Sequence, residues 1–210
     1  MPKIQRYSSA DVRQLTTRPL YDGYFKMVQY RFQHRLFDGG WSGDVVREIF
    51  ERGHAVAVLP YDPVTDEFVL IEQFRIGAME TSDSPWLIEV IAGIIDEGEE
   101  PAEVCHREAM EEAGITLSNL TEAVSYLASP GGTTERLQIY MAQVDASEAH
   151  GVHGLDNESE DILVHRVPVN EAEEWLKNGK IDNAAAIIAV QWFLLNKANL
   201  LAQWQGDNAE

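Results

Sequence analysis

Acidic side chains crowd the segment between residues 93 and 115, GIIDEGEEPAEVCHREAMEEAGI. This segment contains eight carboxylates and two basic side chains. At the dielectric of a protein surface, each close pair of like charges costs about 1 to 3 kcal/mol. A charge run usually marks a solvated helix face, which interleaves its acids with lysine at i+4 spacing. The segment contains no lysine, so a site that binds a positive ligand has to be considered as well.

The spacing of three glutamates indicates what that ligand is. Residues 101–113 are predicted to form a helix that begins at a proline and ends at Gly114. On such a helix Glu108, Glu111 and Glu112 share one side, because they are three and four residues apart. Oxygen ligands of this kind suit a hard divalent cation such as Mg²⁺. The geometry therefore favours a metal site over a solvated helix face.

The same segment resembles the complete Nudix box. Gly93 is followed after five residues by Glu99, and after seven more by REAMEEAGI at 107–115. Ala109 is a mild departure, since the family often has a larger aliphatic residue there. The resemblance implies a loop–helix–loop within an α/β/α sandwich with a mixed sheet, and hydrolysis of a nucleoside diphosphate linked to a further group.

The resemblance also implies roles for residues of the box. Mg²⁺, with Mn²⁺ as a substitute, is expected to bind one set of groups, while a second pair forms a structural ion pair. The expected metal ligands are Glu108, Glu111, Glu112 and the backbone carbonyl of Ala92, and the expected ion pair is Glu99 with Arg107.

A second stretch, LASPGGTTER at residues 127–136, concerns the substrate. Pro130 follows Gly114 by sixteen residues, and this context resembles the ADP-ribose pyrophosphatase branch of the family. A plain turn is the alternative explanation for Ser-Pro-Gly-Gly. Glu135 and Arg136, at the end of the loop, are candidates for contacts with ribose or phosphate. Products of ADP-ribose hydrolysis would be AMP and ribose 5-phosphate.

The sequence is also compatible with two other functions. A hydrolase of another nucleoside diphosphate sugar, such as GDP-mannose, is compatible with the same box and loop. A non-catalytic Nudix domain that senses ADP-ribose is less favoured, because the box is intact and the chain has no basic appendix.

The similarity extends along most of the chain, to bacterial pyrophosphatases of the dimeric type. In those proteins N-terminal strands exchange between subunits, a role that would fall here to residues 23–50. Arg47 and Arg75 are the candidates for gripping the substrate, because guanidinium groups bind phosphate oxygens bidentately. Phe50 or Tyr24 could stack on adenine, although a core role is favoured for both.

A general base is expected in the acidic loop at residues 153–162, HGLDNESEDI. Glu158 matches the base of the dimeric relatives best, and Glu160 is either the alternative base or an additional metal ligand. An acidic loop containing glycine can also move over a substrate. Without the box, an ordinary solvated loop would be the better explanation.

Composition restricts the partners of the chain. With 35 acidic and 16 basic side chains among 210 residues, the formal net charge is −19. Such a charge disfavours nucleic acid and anionic membranes, which are bound through Lys and Arg. One cysteine, Cys105, excludes an internal disulfide framework. Without a signal-like N-terminus or an uninterrupted apolar run that spans a bilayer, the expected location is the cytoplasm.

The elements that position these residues alternate between strands and helices. Residues 1–52 are predicted to be an N-terminal antiparallel β extension for dimerisation and substrate contact, and residues 53–210 the Nudix domain. Within the extension, residues 1–18 are expected to be irregular and 23–37 to pair with 45–50. Further strands are predicted at 55–59, 68–71, 86–91, 123–128, 137–144 and 162–169, and further helices at 170–178 and 183–197.

Overall fold

The computed structural model describes residue 4 and residues 6–207. These residues form two compact units. The first contains the segment ending at Gly53 together with Leu127–Glu135, and the second contains His54–Tyr126 and the segment beginning at Arg136. The helices are α1 (Pro101–Ala113), α2 (Val169–Asn178) and α3 (Ala184–Asp207). The strands are β1 (Val12–Asp22), β2 (Lys26–His34), β3 (Val45–Glu51), β4 (Ala55–Asp62), β5 (Glu67–Phe74), β6 (Trp86–Glu89), β7 (Ile91–Ile94), β8 (Ser118–Leu127), β9 (Arg136–Gln143), β10 (Val152–His153) and β11 (Ile162–Pro168).

The first unit is built on an antiparallel sheet of β1, β2 and β3, in that order. The predicted pairing of residues 23–37 with 45–50 is confirmed, since Lys26 lies opposite Glu51 and Phe32 opposite Val45. The central strand β2 therefore has a partner on each side.

The prediction that residues 1–18 are irregular is wrong from Val12 onward, where β1 begins. Residues 1–3 and 5 of that range lie outside the described part of the chain. Every residue of β1 is exposed, so the strand has no buried face to impose an apolar alternation. Its backbone pairing with β2 holds it instead, and hydrophobic patterning does not report that pairing.

The loop that carries the SPGG sequence also belongs to the first unit. Phe50 donates its backbone N–H to the carbonyl of Gly132 at 2.8 Å. The hydroxyl of Thr134 donates to the carboxylate of Glu51. This loop is thus joined to the end of β3.

The second unit contains a mixed sheet. Among the described residues, six strands follow the order β10-β11-β5-β4-β9-β8, while β6 pairs with β5 and β7 with β4. The β4–β9 pair is parallel, whereas β5 runs antiparallel to both β4 and β11. The mixed sheet predicted from the sequence is confirmed.

Helices cover both faces of this sheet. All eight residues of β4 are buried, and they alternate between two hydrophobic clusters. Leu59 and Tyr61 pack with side chains of α2 and α3, whereas Val56 and Val58 pack with side chains of α1. The α/β/α sandwich is therefore present in this unit.

Helix α3 is longer than the predicted segment 183–197 and continues to Asp207. By length and composition it could cross a membrane, over Ala184–Gly206. However, Phe193 and Trp204 on this helix are buried in the same cluster as Leu59 and Tyr61 of the sheet. Part of this helix therefore belongs to the hydrophobic core of the second unit.

Candidate active site

The buried side of α1 fixes the height of its glutamates above the sheet. Val104, Cys105 and Ala109 on this side are fully buried. Burial, followed by repulsion from Glu108, raises the pKa of the Cys105 thiol to about 12. The helix ends at Gly114, whose φ of 65° is a left-handed conformation that favours glycine. Its glutamate edge consequently faces β7 at a fixed distance.

Glu112 is the most deeply placed acid of the site. Its side chain is buried, with 3% exposure, and it accepts a hydrogen bond from the backbone N–H of Ala92 at 3.1 Å. Burial, with repulsion from Glu108 and Glu160, raises the pKa of Glu112 to about 8. Burial also raises the pKa of Glu108, to about 7. A positive ligand would relieve the cost of keeping these groups charged.

Gly93 provides the space that Glu108 occupies. A Cβ atom added at residue 93 would overlap the carboxylate of Glu108 and lie 2.5 Å from its Cγ. Any larger residue at this position would therefore displace the glutamate. The first glycine of the box has a steric role in this structure.

Arg107 binds three of the predicted site carboxylates. Its Nη1 donates to Glu108 at 2.8 Å and to Glu111 at 3.1 Å. Its Nε lies 3.4 Å from Glu99, which in turn accepts the backbone N–H of Asp96 at 2.9 Å. The contact expected between Glu99 and Arg107 is thus observed.

With Arg107 in these contacts, no group of three or more His, Cys, Asp or Glu among the described residues is already arranged to hold a metal ion. The donor chemistry nevertheless fits one. Glu108 and Glu112 are largely buried carboxylates that repel each other, and hard divalent cations take such oxygen ligands. Glu108, Glu111 and Glu112 would hold such a cation, and it would supply the positive charge that these carboxylates need.

The acidic loop is attached to the end of α1. Gly154 donates its backbone N–H to the carbonyl of Glu111 at 3.2 Å. The φ of Gly154 is 104°, and a Cβ atom there would lie 2.6 Å from the Cβ of Glu160. Glu160 in turn accepts the N–H of Leu155 at 3.2 Å. Glycine at 154 therefore lets Glu160 fold back against the loop.

The two candidate acids of this loop occupy different environments. Glu160 is half-buried and repels the charges of both Glu108 and Glu112. Glu158 lies at the end of a 3₁₀ turn, Asp156–Glu158, and is exposed. The structure thus brings Glu160 to the helix glutamates and leaves Glu158 on the outside of the loop.

Arg75 also lies within electrostatic reach of this group. Burial lowers the pKa of Arg75, but Glu89 and, more weakly, Glu112 and Glu160 raise it above its usual value. The carboxylate of Glu89 binds the guanidinium, with 2.8 Å between Oε2 and Nη2. Sequence reasoning missed Glu89, because it lies fourteen positions beyond Arg75 and no motif connects the two residues.

The other predicted substrate residues divide between the two units. In the second unit, Arg136 donates from Nη1 to the hydroxyl of Ser125 at 3.1 Å. In the first unit, Arg47 is exposed on β3. Glu135, also in the first unit, is buried and pairs with Arg52 at 3.2 Å.

The two aromatic candidates lie in the first unit. Phe50 contacts the ring of Phe25 edge-to-face at 5.1 Å, and Phe25 in turn contacts Tyr24 at 4.7 Å. Tyr24 is 88% exposed. A cavity of about 270 Å³ lies beside these rings.

Comparison with known proteins identifies the family of this chain. The model of the NUDIX domain matches residues 51–209. The chain belongs to the Nudix family. A crystal structure of an ADP compounds hydrolase shares the Nudix fold of this chain with a TM-score of 0.68 at 20% identity, covering 96% of this chain and 98% of that one.

Curated Nudix relatives are similar over nearly the whole chain. The ADP-ribose pyrophosphatase of Escherichia coli K12 is 52% identical over 94% of this chain and 95% of its own length. The ADP-ribose pyrophosphatase of Haemophilus influenzae is 46% identical over 98% and 96%. The GDP-mannose pyrophosphatase of Pectobacterium atrosepticum is 32% identical over 82% and 88%.

Proposed function

We propose that this Nudix chain is an Mg²⁺-dependent ADP-ribose pyrophosphatase that hydrolyses ADP-ribose to AMP and ribose 5-phosphate. The observation that carries the proposal is the convergence of Glu108, Glu112 and Glu160 near the guanidinium of Arg75. The substrate is proposed from sequence identity. The chain is 52% identical to an ADP-ribose pyrophosphatase and 32% identical to a GDP-mannose pyrophosphatase.

The carboxylates define where the cation would bind. Glu108, Glu111, Glu112 and the carbonyl of Ala92 are the proposed ligands, and Glu160 joins them because it faces the same charges. A bound divalent cation supplies positive charge to a diphosphate and lowers the pKa of water. Arg107 holds Glu108 and Glu111 before the cation binds.

Other residues are proposed to bind the substrate and to move a proton. Arg75 and Arg47 are proposed to donate to diphosphate oxygens, as guanidinium groups do bidentately. Further contacts to ribose or phosphate are assigned to Glu135 and Arg136.

Glu158 is proposed as the general base. Its carboxylate is exposed to water and does not lie among the buried acids that are assigned to the cation, so it can accept a proton from water. As that proton leaves, the water oxygen bonds to one phosphorus. The bond between this phosphorus and the bridging oxygen breaks, and the bridging oxygen leaves with the other phosphate.

Comparison of two substrates tests this proposal. AMP release from ADP-ribose and GMP release from GDP-mannose would be measured with Mg²⁺, with Mn²⁺ and with EDTA. We expect kcat/KM to favour ADP-ribose by at least about tenfold, which corresponds to about 1.4 kcal/mol, and activity to disappear in EDTA. Preference for GDP-mannose would overturn the substrate assignment. ADP-ribose binding without metal-dependent release would indicate a sensor.

We further propose that the chain acts as a cytoplasmic homodimer whose N-terminal strands exchange with a second copy. All eleven residues of β1 are exposed, and they include large apolar side chains such as Leu15 and Leu20. A long exposed edge strand favours pairing with another chain. A second copy would cover this strand and complete the sheet.

A further inference from the structure

We infer that Glu89 is a positioning residue, which holds the guanidinium of Arg75 in the orientation needed to bind the substrate diphosphate. The inference rests on the proposed function, because it assigns Arg75 to that substrate. Glu89 lies outside the Nudix box, at the end of β6.

Strand register places Glu89 and Arg75 on one face of the sheet. β5 and β6 are antiparallel, and Ile71 lies opposite Glu89. Directly opposed residues share a face, as do residues two apart along a strand. Gln73 follows Ile71 by two positions, and Arg75 continues this alternation just beyond the end of β5. Ile71 packs in the cluster that contains α1, so this face is the one that carries the site.

The contact between the two side chains is bidentate. Nε of Arg75 lies 3.2 Å from both carboxylate oxygens of Glu89, and Nη2 lies 2.8 Å from Oε2. Gln73, which is buried, donates from Nε2 to the same Oε2 at 3.3 Å. Gln73 therefore helps to hold the carboxylate in the position from which it binds the guanidinium.

Glu89 is less exposed than Arg75, as expected for a residue that anchors the other. The side chain of Glu89 is 12% exposed, whereas that of Arg75 is 47% exposed. A guanidinium has five N–H donors in a planar fork. The contacts to Glu89 use the Nε and Nη2 groups, so the Nη1 donors of Arg75 remain for an incoming phosphate oxygen. The side of the guanidinium that binds Glu89 is therefore largely shielded from solvent, whereas its Nη1 side is open to the ligand.

Glu89 also restrains a competing interaction. Arg75 is attracted by Glu112 and Glu160 as well as by Glu89. If Glu89 were neutral, Arg75 would turn toward those two acids and neutralise the charges proposed to hold the cation. The fixed carboxylate keeps the positive group beside the cation-binding acids without letting it replace the cation.

A double-mutant cycle tests this role in the full-length chain. Glu89→Gln, Arg75→Ala and the double variant would be compared with wild type, by steady-state AMP release from ADP-ribose at saturating Mg²⁺. We expect Glu89→Gln to raise KM about tenfold while kcat changes less than about threefold. In the Arg75→Ala background, Glu89→Gln should add less than about a twofold effect, because the group that it positions is gone.

Glu67→Gln is the matched control. It removes the carboxylate of another arginine pair, Glu67 on β5 with Arg166 on β11 at 2.7 Å, and should leave KM unchanged. Glu89→Asp keeps the charge on a shorter arm, so its KM should fall between wild type and Glu89→Gln, and thermal melting reports whether each variant is folded. An equal rise in KM in both backgrounds, or a rise in the Glu67→Gln control, would overturn the positioning role.

Calorimetric titration with an α,β-methylene analogue of ADP-ribose separates this inference from the proposed function. A wild-type chain that binds the analogue but releases no AMP would overturn the catalytic function, and the same cycle would then be read from dissociation constants. Coupling between residues 75 and 89 in those constants would support the inference. A wild-type chain that neither binds the analogue nor releases AMP would overturn both. If wild type releases AMP without binding the analogue, the kinetic cycle decides the inference.

Discussion

Glu108 and Gly93 show how a single missing side chain positions a charged one. The carboxylate of Glu108 occupies the space in which a Cβ of residue 93 would lie. Its pKa, raised by burial to about 7, is a consequence of that same close packing. The two residues are fifteen positions apart, and the position of the Glu108 carboxylate requires glycine at residue 93.

Gly93→Ala should therefore disable the site without unfolding the chain. The atoms that it would displace belong to a side chain that can rotate away, so the melting temperature should fall by only a few degrees. Displacement of the carboxylate by about 1 Å should lower kcat/KM by roughly 100-fold. Gly43→Ala is the control, since a Cβ there meets no atom within 4 Å. Normal activity in Gly93→Ala would contradict the steric role.

The acidic loop separates two carboxylates that are only two positions apart. Gly154 joins the loop to the last turn of α1 through Glu111, and Glu160 closes back on Leu155. This closure turns Glu160 toward the helix glutamates and leaves Glu158 exposed. The loop thus presents one acid to the buried charges and one to solvent.

Different kinetic effects should follow from neutralising these two acids. Glu158→Gln should lower kcat by about 10² to 10⁴ with little change in KM, as expected for loss of a general base. Glu160→Gln should instead raise the Mg²⁺ concentration needed for half-maximal rate. Asp156→Asn, in the same 3₁₀ turn, should be near wild type. A larger kcat loss in Glu160→Gln at saturating Mg²⁺ would make Glu160 the base.

Sequence reasoning located α1 and its glutamates because helical periodicity is local. Glu108, Glu111 and Glu112 share a side by spacing alone, and no tertiary information is needed to see it. Strand pairing is not local, which is why Glu89 was missed, since its contact with Arg75 depends on the register of β5 and β6. The end of α3 was placed too early, because Asn196 and Lys197 resemble a polar terminus although the helix continues beyond them.

For the molecule as a whole, the exposed strand β1 is the feature that a single copy leaves unexplained. Eleven exposed residues along one edge, Leu15 and Leu20 among them, would favour uncontrolled pairing in an isolated chain. The proposed pairing with a second copy would close this edge symmetrically. The net charge of −19 favours a discrete assembly, because large assemblies of such chains repel.

Light scattering should accordingly give a mass about twice the 23.6 kDa of the chain. Leu20→Glu should shift this mass toward the monomer, because it places a charge on the apolar edge of β1. Gln14→Glu adds the same charge to an already polar position of β1 and should keep the dimer. A wild-type mass equal to one chain would contradict the proposed assembly.

The burial of Cys105 has a practical consequence. Its thiol is fully enclosed, and burial keeps its pKa near 12, so alkylating reagents that attack thiolates will not modify the native chain. Any cysteine introduced on the surface becomes the sole point of attachment for a fluorophore. Asn157→Cys in the acidic loop, labelled in this way, would test whether this loop moves when substrate binds, without first removing a native sulfhydryl.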